Sequence, residues 1–152
     1  MFGVVRVRGS VHVREEIKRT LALLGLNRVN RFTVVPENES YKKMLKKVES
    51  YVTWGELDRE TLLEALKKRG RTSLKEGISE KFLKEKNLKS FEELVERIEK
   101  GSTLKALGLK PFLALKPPSK GFERKGVKKS YSMGGALGYR GKNINALIKR
   151  ML

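Results

Sequence analysis

From Met1 to Gly55 the chain switches repeatedly between the two hydrophobic periods of secondary structure, and few architectures can absorb that pattern. Phe2–Arg8 alternates, with Val5 and Val7 on one side and Arg6 and Arg8 on the other, which predicts a strand. Gly9-Ser10 ends it. Val13, Ile17, Leu21 and Leu24 then fall at helical spacing, predicting an amphipathic helix over 13–24 that Gly25 stops. Arg31–Val35 reads as a second strand closed by Pro36. Asn38 is placed to cap a second helix, with Tyr41, Met44, Leu45 and Val48 inside and Lys42, Lys43, Lys46 and Lys47 outside. Tyr51–Trp54 is a short third strand before Gly55, and Trp54 reads as core packing. The order β-α-β-α-β predicts an α+β fold, in which a small sheet carrying both helices on one face buries all these stripes together.

The next stretch is helical. Asp58 caps a helix bearing Leu62, Leu63 and Leu66 that ends at Gly70. Ser79 is placed to start a short helix with Phe82 and Leu83. Ser90 and Glu93 form a capping box before Phe91, Leu94, Val95 and Ile98, and Gly101 stops that helix. Thr103–Leu107 adds one more turn. After Gly108 the character changes: Lys110–Leu115 reads as a short strand, and Lys116–Gly126 is too rich in Pro, Gly and Lys for a helix. Val127–Met133 reads as extended and Gly134–Gly141 as a glycine loop. A last helix begins near Asn143, with Ile144, Leu147, Ile148 and Met151 as the stripe that docks it on the core. The expected organisation is a core domain over 1–56, a helical extension over 57–109 and a basic segment over 110–152.

Charge separates these parts. Of a formal net charge of +18, the excess lies at the two ends; residues 101–152 hold twelve Lys or Arg against one acid, Glu123. Such a block repels itself and calls for a polyanion, nucleic acid first. A membrane partner fits poorly, because no apolar run approaches the roughly 20 residues needed to span. With no cysteine there is no disulfide framework or thiolate metal site, and no cofactor or small-molecule substrate is indicated. His12 is the only histidine and Asp58 the only aspartate. Acid–base or metal-assisted chemistry needs paired groups, so no catalytic set emerges.

The nucleic-acid candidates fall into three groups. Lys116, Pro117, Pro118, Lys120, Gly121, Phe122, Arg124, Lys125, Lys128, Lys129 and Tyr131 form a stiffened basic segment in which the cations meet phosphates and the aromatics stack on splayed bases. Arg28, Asn30 and Arg31 follow the Gly25 turn, with Arg6, Arg8, Ser10 and His12 at the end of the first strand. Arg140 and Lys142 flank a glycine loop, Leu137–Ile144, that matches the Ile-Gly-x-x-Gly-x-x-Ile pattern of KH modules. A true KH module needs a helix immediately before that loop, where this chain reads as extended. A free KH-like RNA regulator and, behind it, an RNA-processing enzyme stand as alternatives.

In their order, these features resemble one family. Residues 4–35, with Leu24-Gly25-Leu26-Asn27-Arg28 turning into the second strand, resemble the opening of the large-subunit ribosomal protein L-thirty family. Met44–Gly55 resembles its second helix and third strand. Tyr51–Gly55, Lys68-Arg69-Gly70, Pro117–Phe122 and Gly134–Met151 resemble landmarks of the longer eukaryotic relative, L-seven, and the length fits the archaeal form. The resemblance implies a non-enzymatic, cytoplasmic constituent of the large ribosomal subunit. It implies a three-stranded antiparallel sheet, and contact with large-subunit rRNA, near the 5S rRNA, and with neighbouring ribosomal proteins. Family-level RNA contact maps onto Arg8, Ser10 and His12, onto Arg28 and Arg31, and onto the Pro-Pro segment. Bacterial members carry Ser-x-Ile-Gly after the first strand, where this chain has Gly9-Ser10-Val11-His12.

Overall fold

The computed structural model describes residues 1–72, 76–78, 82–83, 88 and 90–152. Its strands are β1 (Phe2–Arg6), β2 (Arg31–Val35), β3 (Val52–Glu56), β4 (Leu113–Ala114) and β5 (Gly138–Tyr139), and its helices are α1 (Glu15–Leu23), α2 (Glu39–Lys47), α3 (Arg59–Arg69), α4 (Phe91–Glu99) and α5 (Ile144–Met151). The βαβαβ opening is present, but the sheet has five strands in the order β4-β2-β1-β3-β5, where three were expected. β1 pairs antiparallel with both β2 and β3, giving the expected antiparallel trio. The additional strands are two residues each: β4 pairs antiparallel with β2, and β5 pairs parallel with β3. β4 falls within the strand read over Lys110–Leu115, whereas β5 lies in the stretch read as a glycine loop, where two residues carry almost no periodic signal and tertiary pairing defines the strand.

Local chemistry explains the element ends. α1 closes in a Schellman motif, with Leu26 N–H donating to Leu21 O at 2.8 Å and Gly25 N–H to Ala22 O at 2.9 Å. Gly25, at φ 76°, supplies the left-handed residue that motif requires. Asn38, Asp58 and Ser90 sit at the N-cap positions of α2, α3 and α4, but of these three only Ser90 caps through its side chain, its hydroxyl accepting from Glu93 N–H at 3.4 Å; Asn38 and Asp58 make no side-chain cap bond. The short helix read from Ser79 begins outside the described residues.

Both faces of the sheet are covered. On one face α1 and α2 pack Leu21, Leu24, Leu45 and Val48 against Phe2, Val4, Val35, Val52 and Trp54. On the other, Val5, Phe32 and Val34 meet Leu62, Leu66, Leu94, Val95, Leu113, Ile144, Leu147, Ile148 and Met151. The last helix therefore docks through the stripe read from its sequence. Residues from all three sequence segments share this second core.

Covering both faces also corrects the reading of the first strand. β1 is central in the sheet and every residue in it is buried, so Arg6 does not face solvent. Two further corrections concern the basic segment. Residues 127–133 are turned instead of extended and finish in a 3-10 turn at Tyr131–Met133. No α-helix leads into Gly138, which lies in a strand, so the helix–loop–helix context of a KH module is absent from this part of the chain.

Candidate nucleic-acid interface

The strand register brings the basic segments together. Arg6 pairs with Val52, Val5 with Phe32, Arg31 with Ala114, and Thr53 with Gly138. The exits of β1 and β4 and the entries of β2, β3 and β5 thus lie at one end of the sheet. The connections leaving that end, residues 7–14, 24–30 and 115–137, carry nearly all the candidates named from sequence.

Arg6 organises this end from inside. It is 2% exposed, and its guanidinium donates to Leu26 O at 2.6 Å, Ser10 Oγ at 2.7 Å and Arg8 O at 2.8 Å. One side chain thereby ties the loop after β1 to the turn after α1. Burial, and next the like charge of Arg31, hold its pKa below the usual arginine value. Burial and then Arg28 do the same to Arg31. Arg31 therefore stands between two like charges, Arg6 and Arg28. It also lies over the Phe112 ring at 3.6 Å, and Arg8 lies over Tyr51 at 5.3 Å while donating to Ser50 O.

Three non-glycine residues have positive φ among the described residues: His12 at 53°, Asn30 at 60° and Lys120 at 64°. All three occur at this end. Left-handed backbone is costly for such residues and gathers where a surface must be held in a set shape. Asn30 shows how: its N–H donates to Arg6 O and its carbonyl accepts from Leu115 N–H, both at 2.9 Å, stitching β1 to the exit of β4.

The Pro-Pro segment is fastened to the last helix. Lys116 N–H donates to Met151 O at 2.9 Å and Ser119 N–H to Arg150 O at 3.0 Å, satisfying carbonyls that end the helix without intrahelical partners. Pro118 is buried, Pro117 exposed, and Gly121 N–H closes a turn onto Pro118 O with Lys120 at its tip. Beyond it the chain doubles back, with Lys125 N–H on Gly134 O and Ala136 N–H on Gly126 O. Phe122 is partly buried against Val7, Ala136 and Leu137, and the Tyr131 ring lies 4.7 Å from the Arg140 guanidinium carbon. Both aromatics thus pack partly inward, short of the open stacking faces read from sequence.

Arg140 is likewise internal. It is 4% exposed, its Nη1 donates to Glu123 Oε1 at 2.7 Å, and it also reaches Thr53 Oγ1 and Ala136 O. With Arg6 it is a scaffold residue, and neither guanidinium is free to meet phosphate. Lys142 is exposed but lies at the opposite end of the sheet, beyond the pairing of Trp54 with Tyr139. Of the remaining candidates, Ser10, His12, Arg28, Lys116, Lys120, Gly121, Arg124, Lys125, Lys128 and Lys129 are exposed, and Arg8, Asn30 and Arg31 are half-buried. None of their cationic groups forms a salt bridge among the described residues. The segment's one acid, Glu123, is engaged by Arg140 and, at 3.8 Å, by Arg150.

Sequence reasoning missed three residues here. Val11 is 82% exposed, Met133 60% and Val29 41%. Apolar residues are normally counted toward a core. The available signal was position: each sits in a polar, glycine- or arginine-flanked turn and not on a helical or strand stripe. Unpaired cations interleaved with exposed apolar groups suit phosphates and unstacked base faces together.

Comparison with known proteins identifies the family. Residues 2–52 match the family model described as ribosomal protein L30p/L7e. The chain is 49% identical over 153 residues to large ribosomal subunit protein uL30 of Nanoarchaeum equitans, covering 100% of this chain and 99% of the relative. It is 47% identical over 152 residues to uL30 of Methanococcus maripaludis, with 99% of each covered. Against uL30 of Korarchaeum cryptofilum the identity is 44%, over 100% of this chain and 95% of the relative.

Proposed function

Because the chain belongs to the ribosomal protein L30p/L7e family, we propose that the basic end of its sheet is the face it lays against large-subunit rRNA. The protein is a structural, non-enzymatic constituent of the large subunit of the cytoplasmic ribosome, where rRNA and neighbouring ribosomal proteins are its partners. One observation carries the assignment of the face: strand ends far apart in sequence deliver unpaired cations to a single rim, on a backbone fixed by Arg6, Asn30 and the helix-end bonds of Lys116 and Ser119. Phosphate neutralisation supplies affinity, and the fixed shape of the rim supplies placement on folded RNA. The contact residues are Arg8, Ser10, His12, Arg28, Arg31, Lys116, Lys120, Arg124, Lys125, Lys128 and Lys129, joined by Val11, Val29 and Met133. Arg6 and Arg140 support them from beneath. Resemblance to the archaeal and eukaryotic long form favours a position beside the 5S rRNA.

Binding to a large-subunit rRNA fragment across a salt series tests the assignment. With about 6–10 phosphates neutralised, affinity falls roughly 10³–10⁵-fold between 50 and 200 mM salt. A nearly flat salt dependence would overturn it. Crosslinking from a photoreactive group at position 128 distinguishes 5S from other rRNA.

A further inference from the structure

At the end of the sheet away from the basic rim, a cavity of about 480 Å³ opens beside α2. The register fixes its position: Phe2 pairs with Glu56 and with Val35, at the far end from the Arg6–Val52 pair. Its walls are aromatic. Trp54 and Tyr139 are cross-strand neighbours on the same face, with ring centroids 6.4 Å apart and planes inclined at 53°, and Phe2 lies alongside. Tyr139 is 52% exposed, an unusual state for an aromatic ring on a sheet.

The charge lining the cavity is opposite to that of the rest of the molecule. Carboxylates enter from three places in the fold: Glu37 before α2, Glu49 after α2 and Glu56 at the end of β3. Glu56 accepts from the Tyr139 hydroxyl, and that bond, with the charges of Glu56 and Glu37, raises the phenol pKa. Two lysines also line the space. Lys42 is paired with Glu37 at 3.1 Å, and Lys46 forms no salt bridge among the described residues. Glu49 has no salt bridge among the described residues. Its Oε1 would lie only 3.0 Å from a Cβ at position 138, so Gly138 leaves that carboxylate its place.

We propose that this cavity is a docking site for an arginine-bearing segment of a neighbouring protein, its guanidinium stacked on Tyr139 and its donors shared between Glu49 and Glu56. A planar guanidinium combines the two properties the lining asks for, attraction to an aromatic face and forked donation to carboxylate. Phosphate meets repulsion here, so RNA is the disfavoured occupant. The chain would then hold nucleic acid at one end of its sheet and protein at the other.

Trp54 is the only tryptophan in the chain and lines the cavity, so a ligand seated there perturbs its emission. The test titrates the full-length protein with an acetylated, amidated Gly-Arg-Gly-Arg-Gly peptide, its lysine counterpart, and a single-stranded RNA oligonucleotide. The arginine peptide is expected to give a saturable change in emission, and the lysine peptide to bind at least about 5-fold more weakly. Glu49→Gln with Glu56→Gln abolishes saturation while the thermal melt persists. Replacing Lys120, Arg124, Lys125, Lys128 and Lys129 with Ala leaves peptide binding unchanged. An absent response, equal binding of both peptides, or an undiminished response in the double variant would overturn the proposal. So would a saturable Trp54 response to the RNA alone in the five-alanine variant, which would make nucleic acid the occupant.

Discussion

A Cβ atom on Gly55 would stand 1.9 Å from the carbonyl oxygen of Gly141. β3 and the turn that starts the last helix are pressed backbone to backbone, and only a residue without a side chain fits between them. Asn145 fastens the same junction: its amide nitrogen donates to Glu56 O at 3.0 Å and to Lys142 O at 2.9 Å, and its oxygen accepts from Asp58 N–H at 2.9 Å. Gly55→Ala must therefore push α5 away from the second core. The expected loss is about 3 kcal/mol, near the upper end for overpacking because neither partner is a flexible side chain. Urea denaturation measures it. A variant within about 0.5 kcal/mol of the parent, the range of an ordinary surface substitution, would show that the approach is looser than it looks.

Arg140 separates scaffold from contact. Its guanidinium is buried with Glu123 as ionic partner, so Arg140→Ala frees the Ala136 carbonyl and leaves the part-exposed Glu123 with only the longer Arg150 contact at 3.8 Å. The expected cost is about 3 kcal/mol, the low end for breaking a buried pair. Glu123→Gln alone costs less, because a neutral amide still accepts from the guanidinium. A double-mutant cycle in guanidinium chloride gives the coupling between the two. Independent, additive losses would mean that the pair is not acting as a unit.

Lys120 allows fold and binding to move in opposite directions. At φ 64° it occupies backbone that suits glycine. Lys120→Gly should stabilise the protein by up to about 1 kcal/mol, through relief of strain, and still weaken rRNA binding by removal of a cation. Thermal melting and filter binding on the same sample check both signs.

Replacing Lys120, Arg124, Lys125, Lys128 and Lys129 with Ala should leave the circular dichroism melt nearly in place, since these side chains are exposed and have no ionic partners among the described residues. The slope of log affinity against log salt should fall by roughly 0.7–0.9 for each phosphate no longer neutralised. Collapse of the fold would instead show these cations to be internal supports.

Tyr139 carries a pH signature. Its phenol, hydrogen-bonded to Glu56, has a raised pKa. The native state thus holds the proton more tightly than the unfolded chain. The associated stability is present below the ordinary tyrosine range and is lost as pH rises through the native value. Ultraviolet titration should show one tyrosine ionising late, and Glu56→Gln should bring it back toward the others. An unshifted titration in the parent protein would contradict the hydrogen bond.

How far the fold could be read depended on whether the determining interactions were local. α1, α2, α3, α4 and α5 carry their stripes and end signals within a few residues, and each lies close to where periodicity put it. The strand read over residues 2–8 is present over Phe2–Arg6, yet its alternation suggested a wet face. What overrides it is that both faces are covered: α3 and α5, far along the chain, close over Val5 and Phe32, while the face shared by Phe2, Val4 and Arg6 lies under α1 and α2. The turn after α1 receives the Arg6 guanidinium at Leu26 O, which makes Arg6 a brace and not a contact. Arg140 was misread for the same reason, since Glu123 and Thr53 are remote partners. The basic rim was partly legible, because charge needs no periodicity to be noticed. Its exposed Val11, Val29 and Met133 were not, because apolarity alone does not say which side of the surface a side chain occupies.

The bonds from Lys116 and Ser119 to the carbonyls of Met151 and Arg150 impose a timetable. The three central strands lie within the first 56 residues, but the flanking strands and the brace beneath the contact loop come from residues beyond 112. A partly synthesised chain can collapse without yet presenting a finished RNA face. The face is completed only when α5 seats, so maturation of the sheet and competence to join RNA become the same event.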